Sequence, residues 1–324
     1  MSGRLEKENE AKDRMLEKLN NLPEIISDFY YWMDARDKTY TTTRNYVNHV
    51  VEFMKFFTKG KSDDLFYEKV RDVDIERYIT SLRTKVINGQ EVNVGDDIRA
   101  AKWSSLNTFF RFLSQKKYIN NNPMLLTERP RIRTAHDVTY MSQEEVASVF
   151  NRISEEASKK YKNRDMCIIA LGLGTGLRVS AIVNINVEDI DFKTNTIQVV
   201  EKGRKIRKIK FAEKLKNLIL IWLKDRELYY NGDDTGPLFY SSRLQRLSVD
   251  SVEHLVKKYT SHLPKKITPH KLRSSAAMNL YGAGMDILTI ASILGHENVT
   301  TTQRYTRAYD ENEQKATDIL DSML

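Results

Sequence analysis

Six side chains of this 324-residue chain have the types and local settings that chemistry on a phosphate would need: Arg178, Lys202, His270, Arg273, His296 and Tyr305. Planar guanidinium forks match the non-bridging oxygens of a phosphoryl group in two-point fashion. A lysine or histidine can supply or remove a proton, and a tyrosine hydroxyl can act as a nucleophile. Arg178 follows the glycine-rich run LGLGTGL, Leu171 to Leu177. That run is no dinucleotide fingerprint, because after Gly172 and Gly174 the third glycine position holds Leu177. Nor is it a P-loop, since Gly176 is followed by Leu177 and Arg178 where Lys and Ser or Thr are required. Taken singly, each of the six has a plainer reading: a structural histidine, a core tyrosine, a solvated lysine. Together they supply donors for a phosphate, a proton source and a nucleophile.

The elements that must position them are legible in the pattern. Thr268 is a candidate N-cap with Pro269 at the first helical position, so His270 and Arg273 share one face of a first turn. Free backbone N–H groups and the helix dipole favour an anion there. His296 lies in a glycine-containing turn, and the threonine run after it can cap a helix that carries Tyr305. Lys202 falls at the tip of a basic hairpin, NTIQVVEKGRKIRKIKF, the one convincing β signal. The glycines of the Leu171–Leu177 run end a buried helix. From there the chain is expected to re-enter helix over RVSAIVNINVEDI, and again over AEKLKNLILIWLKD and SVDSVEHLVKKYTSHL.

The first half reads as helical from Pro23 to about Pro123. Val47, Val50, Val51, Met54 and Phe57 form one stripe from Tyr40 onward. VRDVDIERYITSL and DDIRAAKWSSLNTFFRFLSQ repeat that signal, and RTKVINGQEVNVGDD between them reads as a polar loop. In TERPRIRTAHDVTY the apolar period stops and Arg129, Arg131 and Arg133 alternate, which marks a linker. Ser142 and Glu145 then form a capping box that opens a new helix, so the chain divides near Thr134. A net charge of +8 favours a polyanionic partner. The one cysteine, Cys167, sits in an apolar run and reads as a buried small hydrophobe, excluding an internal disulfide. The charged N-terminal stretch is no signal peptide and no run has the apolar length of a membrane span, so a cytoplasmic protein is expected.

With these residues in order, the chain resembles the tyrosine recombinases, the phage-integrase and Xer-like family. GTGLRVSAI, the Lys202 hairpin, HKLR and LGHENVTTTQRY carry the resemblance over about 140 to 310, and the INNNPM ending of the helical region adds to it. The resemblance implies a mainly α fold with a small β-sheet. Its expected divisions are a charged leader over 1–20, a helical core-binding (SAM-like) domain over 21–128, a linker over 129–139 and a mixed α/β catalytic domain over 140–310. A C-terminal tail helix over 311–324 would dock on a neighbouring protomer.

The same resemblance implies a site-specific recombinase that cleaves and rejoins double-stranded DNA through a 3′-phosphotyrosine and a Holliday junction. It would act as a homo-tetramer on two sites, in integration and excision or in resolution and inversion. Tyr305 would be the nucleophile, Arg178, Arg273 and His296 phosphate donors, Lys202 the general acid, and His270 the residue that positions or deprotonates the nucleophile. No cofactor or metal is implied, the arginines taking the place of a cation. The expected DNA-facing residues are Arg44, Arg99 and Lys102 in the helical region, Arg131 and Arg133 in the linker, and Arg204 and Lys205 in the hairpin. Two departures from the family pattern stand out: Ala181 where an acidic residue is frequent, and Ser274 and Ser275 after the arginine of HKLR where His-Thr or His-Ser is frequent. The rival from another class is a catalytically silent DNA-binding or architectural protein on the same fold.

Overall fold

Aromatic residues at helical spacing build the first of two compact units, which divide between Ala135 and His136. The computed structural model describes residues 12–61, 63–87, 89–131, 138–200, 206–230 and 235–295, with Thr302, Tyr305, Thr317 and Asp321. In the first unit α1 (described over 12–19), α2 (Glu24–Asp34), α3 (Tyr40–Phe57), α4 (Asp72–Ser81) and α5 (Asp96–Gln115) close around one core. Thr39 starts α3 by accepting the Thr42 N–H at 3.3 Å. Val47, Val50 and Val51 of the stripe are buried, Met54 and Phe57 partly so, and Phe53 joins them. Phe29 meets Phe109 edge-on at 5.2 Å between ring centroids, and Phe66 stacks on the other ring at 6.2 Å.

The segment read as a polar loop is in part a hairpin. Strands β1 (Thr84–Ile87) and β2 (Gln90–Asn93) pair antiparallel, with Ile87 opposite Gln90. In sequence Asn88–Gly89 stands between the strands, the residue pair that two-residue hairpin loops favour, and Gly89 has φ +79°. The charged residues around this pair mask the β-branched positions that flank it.

In the second unit the capping box forms as read: Ser142 Oγ accepts the Glu145 N–H at 3.2 Å and the Glu145 carboxylate accepts the Ser142 N–H at 2.7 Å. It opens α6 (Gln143–Glu156), followed by the buried helix α7 (Lys159–Thr175). Helix α8 (Val179–Asn184) is far shorter than the pattern suggested. The Arg246 guanidinium donates to the carbonyls of Val183 and Ile185, and Leu238 N–H to Ile185 O, so these groups are lost to the helix ladder. Strands β3 (Ile190–Asp191), β4 (Thr196–Val200) and β5 (Ile206–Lys210) form an antiparallel sheet in sequence order. Helices α9 (Glu213–Tyr230), α10 (Val249–Thr260), α11 (Pro269–Gly282) and α12 (Ile287–Leu294) follow. The chain is thus mainly α with a small β-sheet. No helix among the described residues is long and apolar enough to cross a membrane.

Candidate active site

Two glycines of the Leu171–Leu177 run have separate steric duties. A Cβ on Gly172 would lie 2.9 Å from Leu272 Cδ1, so this glycine lets α7 approach α11 closely. Gly176 ends α7 in the left-handed region at φ +62°, and a Cβ there would also collide with Leu294 Cδ2. Both requirements bring the end of α7 against α11 and α12. The next residue but one, Arg178, is the N-cap of α8, exposed, with Nη2 3.5 Å from the Gly295 carbonyl.

Arg273, on α11, is only 1 % exposed. Its Nη1 donates to Gly176 O at 2.7 Å and its Nη2 to Leu294 O at 2.6 Å. A buried guanidinium bonded to carbonyls at two helix C-termini sits at the negative ends of two dipoles, which offsets much of its desolvation cost. Thr268 is the N-cap of α11 with Pro269 in the first turn, as read, although its hydroxyl makes no capping bond. His270 is exposed in that turn, three residues before Arg273.

Tyr305 is fully buried, packed with Ala277 and Met278 of α11 and Ile290 and Leu294 of α12. Leu294 is therefore the hub: its carbonyl seats Arg273, its side chain packs in the tyrosine's cluster, and the next carbonyl faces Arg178. The structure brings Arg178 and Arg273 to the end of α12, places His270 in the first turn of α11, and buries Tyr305 in a cluster with residues of α11 and α12. Lys202 and His296 lie outside the described residues, the first between β4 and β5 and the second directly after Gly295 in sequence. Cys167 is buried, and that burial pushes its thiol up, away from nucleophilic use.

Ser274 and Ser275 are buried in α11. Ser275 Oγ accepts the Met141 N–H at 2.8 Å and donates to Lys271 O, fastening α11 to the start of this unit. Ala181 packs at the edge of the apolar core. Of the expected DNA-facing residues, Arg44 is exposed over the Tyr40 ring and Arg131 is exposed. Arg99 is paired with Asp96 at 2.9 Å, and Lys102 with Glu52. Arg133, Arg204 and Lys205 lie outside the described residues, as does the tail over 311–324 apart from Thr317 and Asp321.

Arg207 was absent from the set read from sequence. On β5 the alternation places it on the face of Ile209, which is buried, and an arginine on the inward face of a strand was the available signal. Its Nη1 donates to Ile293 O at 2.7 Å and Ser292 O at 3.1 Å.

Comparison with known proteins places this arrangement in context. Residues 139–312 match the phage integrase family. The chain is 36% identical over 311 residues to tyrosine recombinase XerC of Caldanaerobacter subterraneus subsp. tengcongensis, covering 91% of this chain and 86% of that protein. It is 30% identical over 299 residues to tyrosine recombinase XerA of Pyrococcus furiosus, with 90% and 92% covered. Among solved structures it is similar to the XerH site-specific recombinase bound to palindromic difH substrate in a post-cleavage complex. There the TM-score is 0.71 at 20% identity, covering 89% of this chain and 82% of that one. The Tn1549 transposon integrase in complex with circular intermediate DNA gives a TM-score of 0.66 at 22% identity, covering 87% and 94%. At those identities the structural likeness is one of fold.

Proposed function

Because the chain belongs to the phage integrase family and is a tyrosine-type site-specific DNA recombinase, we propose that it cuts and rejoins duplex DNA through a 3′-phosphotyrosine. The observation that carries the reading is the convergence on the end of α12. Arg178 and Arg273 reach successive carbonyls, Gly295 and Leu294, while Tyr305 lies in the same buried cluster as Leu294.

In this reading the Tyr305 hydroxyl oxygen attacks the scissile phosphorus, and the bond to the 5′-oxygen breaks. Lys202 protonates the departing 5′-oxygen, and His270 positions or deprotonates the attacking hydroxyl. Arg178, Arg273 and His296 donate to the non-bridging oxygens, where charge accumulates as five bonds form around phosphorus. The energy of the broken bond is kept in the phosphotyrosine ester. A 5′-hydroxyl from a second strand then displaces Tyr305 and restores a phosphodiester. No nucleotide or metal enters this scheme.

Tyr305 is wholly buried in this structure, so cleavage requires it to leave its cluster when DNA is bound. Exchange between two duplexes proceeds through a Holliday junction in a homo-tetramer, the tail helix over 311–324 docking on a neighbouring protomer. Arg44, Arg99, Lys102, Arg131, Arg133, Arg204 and Lys205 supply phosphate contacts, Arg99 and Lys102 after exchanging their carboxylate partners.

A nicked suicide duplex in EDTA tests this reading. Wild-type protein is expected to form a covalent adduct. Tyr305→Phe should retain its affinity, since one hydroxyl contributes little to a large electrostatic interface, and form none. An adduct in Tyr305→Phe would move the nucleophile elsewhere. DNA binding without any wild-type adduct would favour the silent architectural protein.

A further inference from the structure

Helix α12 ends by presenting four successive carbonyls, those of Ser292, Ile293, Leu294 and Gly295, to three guanidiniums. Arg207 from β5 takes the first two, Arg273 from α11 the third, and Arg178 at the start of α8 lies against the fourth. The last carbonyls of a helix lack i+4 donors and carry the negative end of its dipole, so each guanidinium is both bonded and electrostatically held, although Ser292 O also accepts the Gly295 N–H at 3.0 Å. Two of these arginines are the phosphate donors of the reading above. The third belongs to the sheet and has no place in that chemistry.

Arg207 makes the shorter attachment, its Nη1 shared between two carbonyls at 2.7 and 3.1 Å, while Arg178 reaches its carbonyl only at 3.5 Å. Helix α12 is eight residues long, barely two turns, and owes its placement to what it touches rather than to its own helicity. Its apolar side is fixed by Ile290, Ala291 and Leu294, which are buried. Its C-terminal backbone is fixed to the sheet by Arg207. Because Arg273 and Arg178 take their direction from the next two carbonyls, a shift of this helix end turns both of them.

We propose that Arg207 is a positioning residue for the reaction: it anchors the C-terminal end of α12 to β5 and thereby aims Arg273 and Arg178 at the scissile phosphate. The proposal rests on the reading of those two arginines as phosphate donors. Arg207 itself touches no reacting atom.

The test compares single-turnover cleavage of a nicked duplex with that of the same duplex carrying a methylphosphonate at the scissile position. The methyl group replaces one charged non-bridging oxygen, so less charge develops for the arginines to meet. Relative to wild type on each substrate, Arg207→Ala is expected to lose on the order of 10- to 100-fold on the phosphate but only about threefold on the methylphosphonate, because misplaced donors matter less where less charge forms. Its DNA affinity should match wild type. Equal losses on the two substrates would reduce Arg207 to a fold-holding residue and overturn the proposal, as would a wild-type rate on both. If Arg207→Ala does not fold, Arg207→Lys, which keeps the charge but not the planar fork, should give a smaller loss with the same difference between substrates. Arg273→Ala run in parallel separates the underlying reading. If its own loss is not relieved by the methylphosphonate, the arginines are not phosphate donors, whatever Arg207 does.

Discussion

The two units of this chain are held together by different kinds of contact. The first is fastened by rings: Phe29, Phe53, Phe66, Phe109, Phe110 and Phe112 are all at most 1 % exposed and meet edge-on, tilted or stacked. The second has a mainly aliphatic core, with rings such as Trp222 and Phe239 among it, into which charge has been let, since among the described residues every buried charged side chain, Asp165, Arg226 and Arg273, lies there. Each is bonded. Asp165 pairs with Arg164 and accepts the Tyr259 hydroxyl, although desolvation still holds its carboxyl above the ordinary value. Arg226 donates to Pro237 O and Thr235 O. Arg273 joins two helix ends.

Apolar burial is strong and non-directional, so it stabilises a shape without aiming any group. A buried guanidinium bonded to carbonyls is costly to desolvate but fixes a direction. In the proposed mechanism, the unit that carries the reaction uses the second device where the reacting groups gather.

The sharpest way to break the comparison is to remove one ring. Phe109→Ala is expected to destabilise the first unit by about 3–5 kcal/mol, read as a lower melting transition, because the cavity cannot fully collapse. Its single-turnover cleavage rate at saturating protein, well below that transition, should stay near wild type. A large loss of rate at retained binding would mean that the rings also aim the chemistry.

Gly176→Ala is the converse. The left-handed backbone and the collision with Leu294 should cost about 1–3 kcal/mol in stability, less than the ring removal. Yet it pushes on the residue whose carbonyl seats Arg273, so cleavage should fall more steeply than stability does. Melting together with single-turnover cleavage decides it, and an unchanged rate would detach Gly176 from the site.

The smallest effect lies in the first unit. Burial, then the Lys102 charge, holds His49 below its ordinary value of 6.5, with Glu52 opposing. The folded unit thus favours neutral His49, bonded to Ser105 at 2.8 Å. That stability is fully present above pH 6.5 and is lost as pH falls through the lowered folded value. The melting temperature of the first unit should decline below pH 6.5, and His49→Asn should flatten that slope. An unchanged slope would clear His49 of the effect.

Much of this was legible in sequence because local physics sets it. The Ser142–Glu145 box, the Pro269 start of α11 and the apolar stripe of α3 are decided within a few residues. What escaped the reading depends on partners far along the chain. The end of α8 is set by Arg246 and Leu238, and the inward face of Arg207 by the helix end it meets. The β1–β2 hairpin was obscured by its charged neighbours, although Asn88–Gly89 signalled the turn. Tyr305 could be read as a nucleophile by resemblance, but its burial beside Leu294 could not, since nothing local distinguishes a covered tyrosine from an exposed one.

The most direct measurement identifies the residue that carries the DNA. Wild-type protein trapped on a nicked duplex, digested and sequenced by mass spectrometry, is expected to bear the nucleotide on Tyr305 alone. Linkage to Tyr309, to Tyr281 or to a serine would contradict the assignment, and with it the role given to the end of α12.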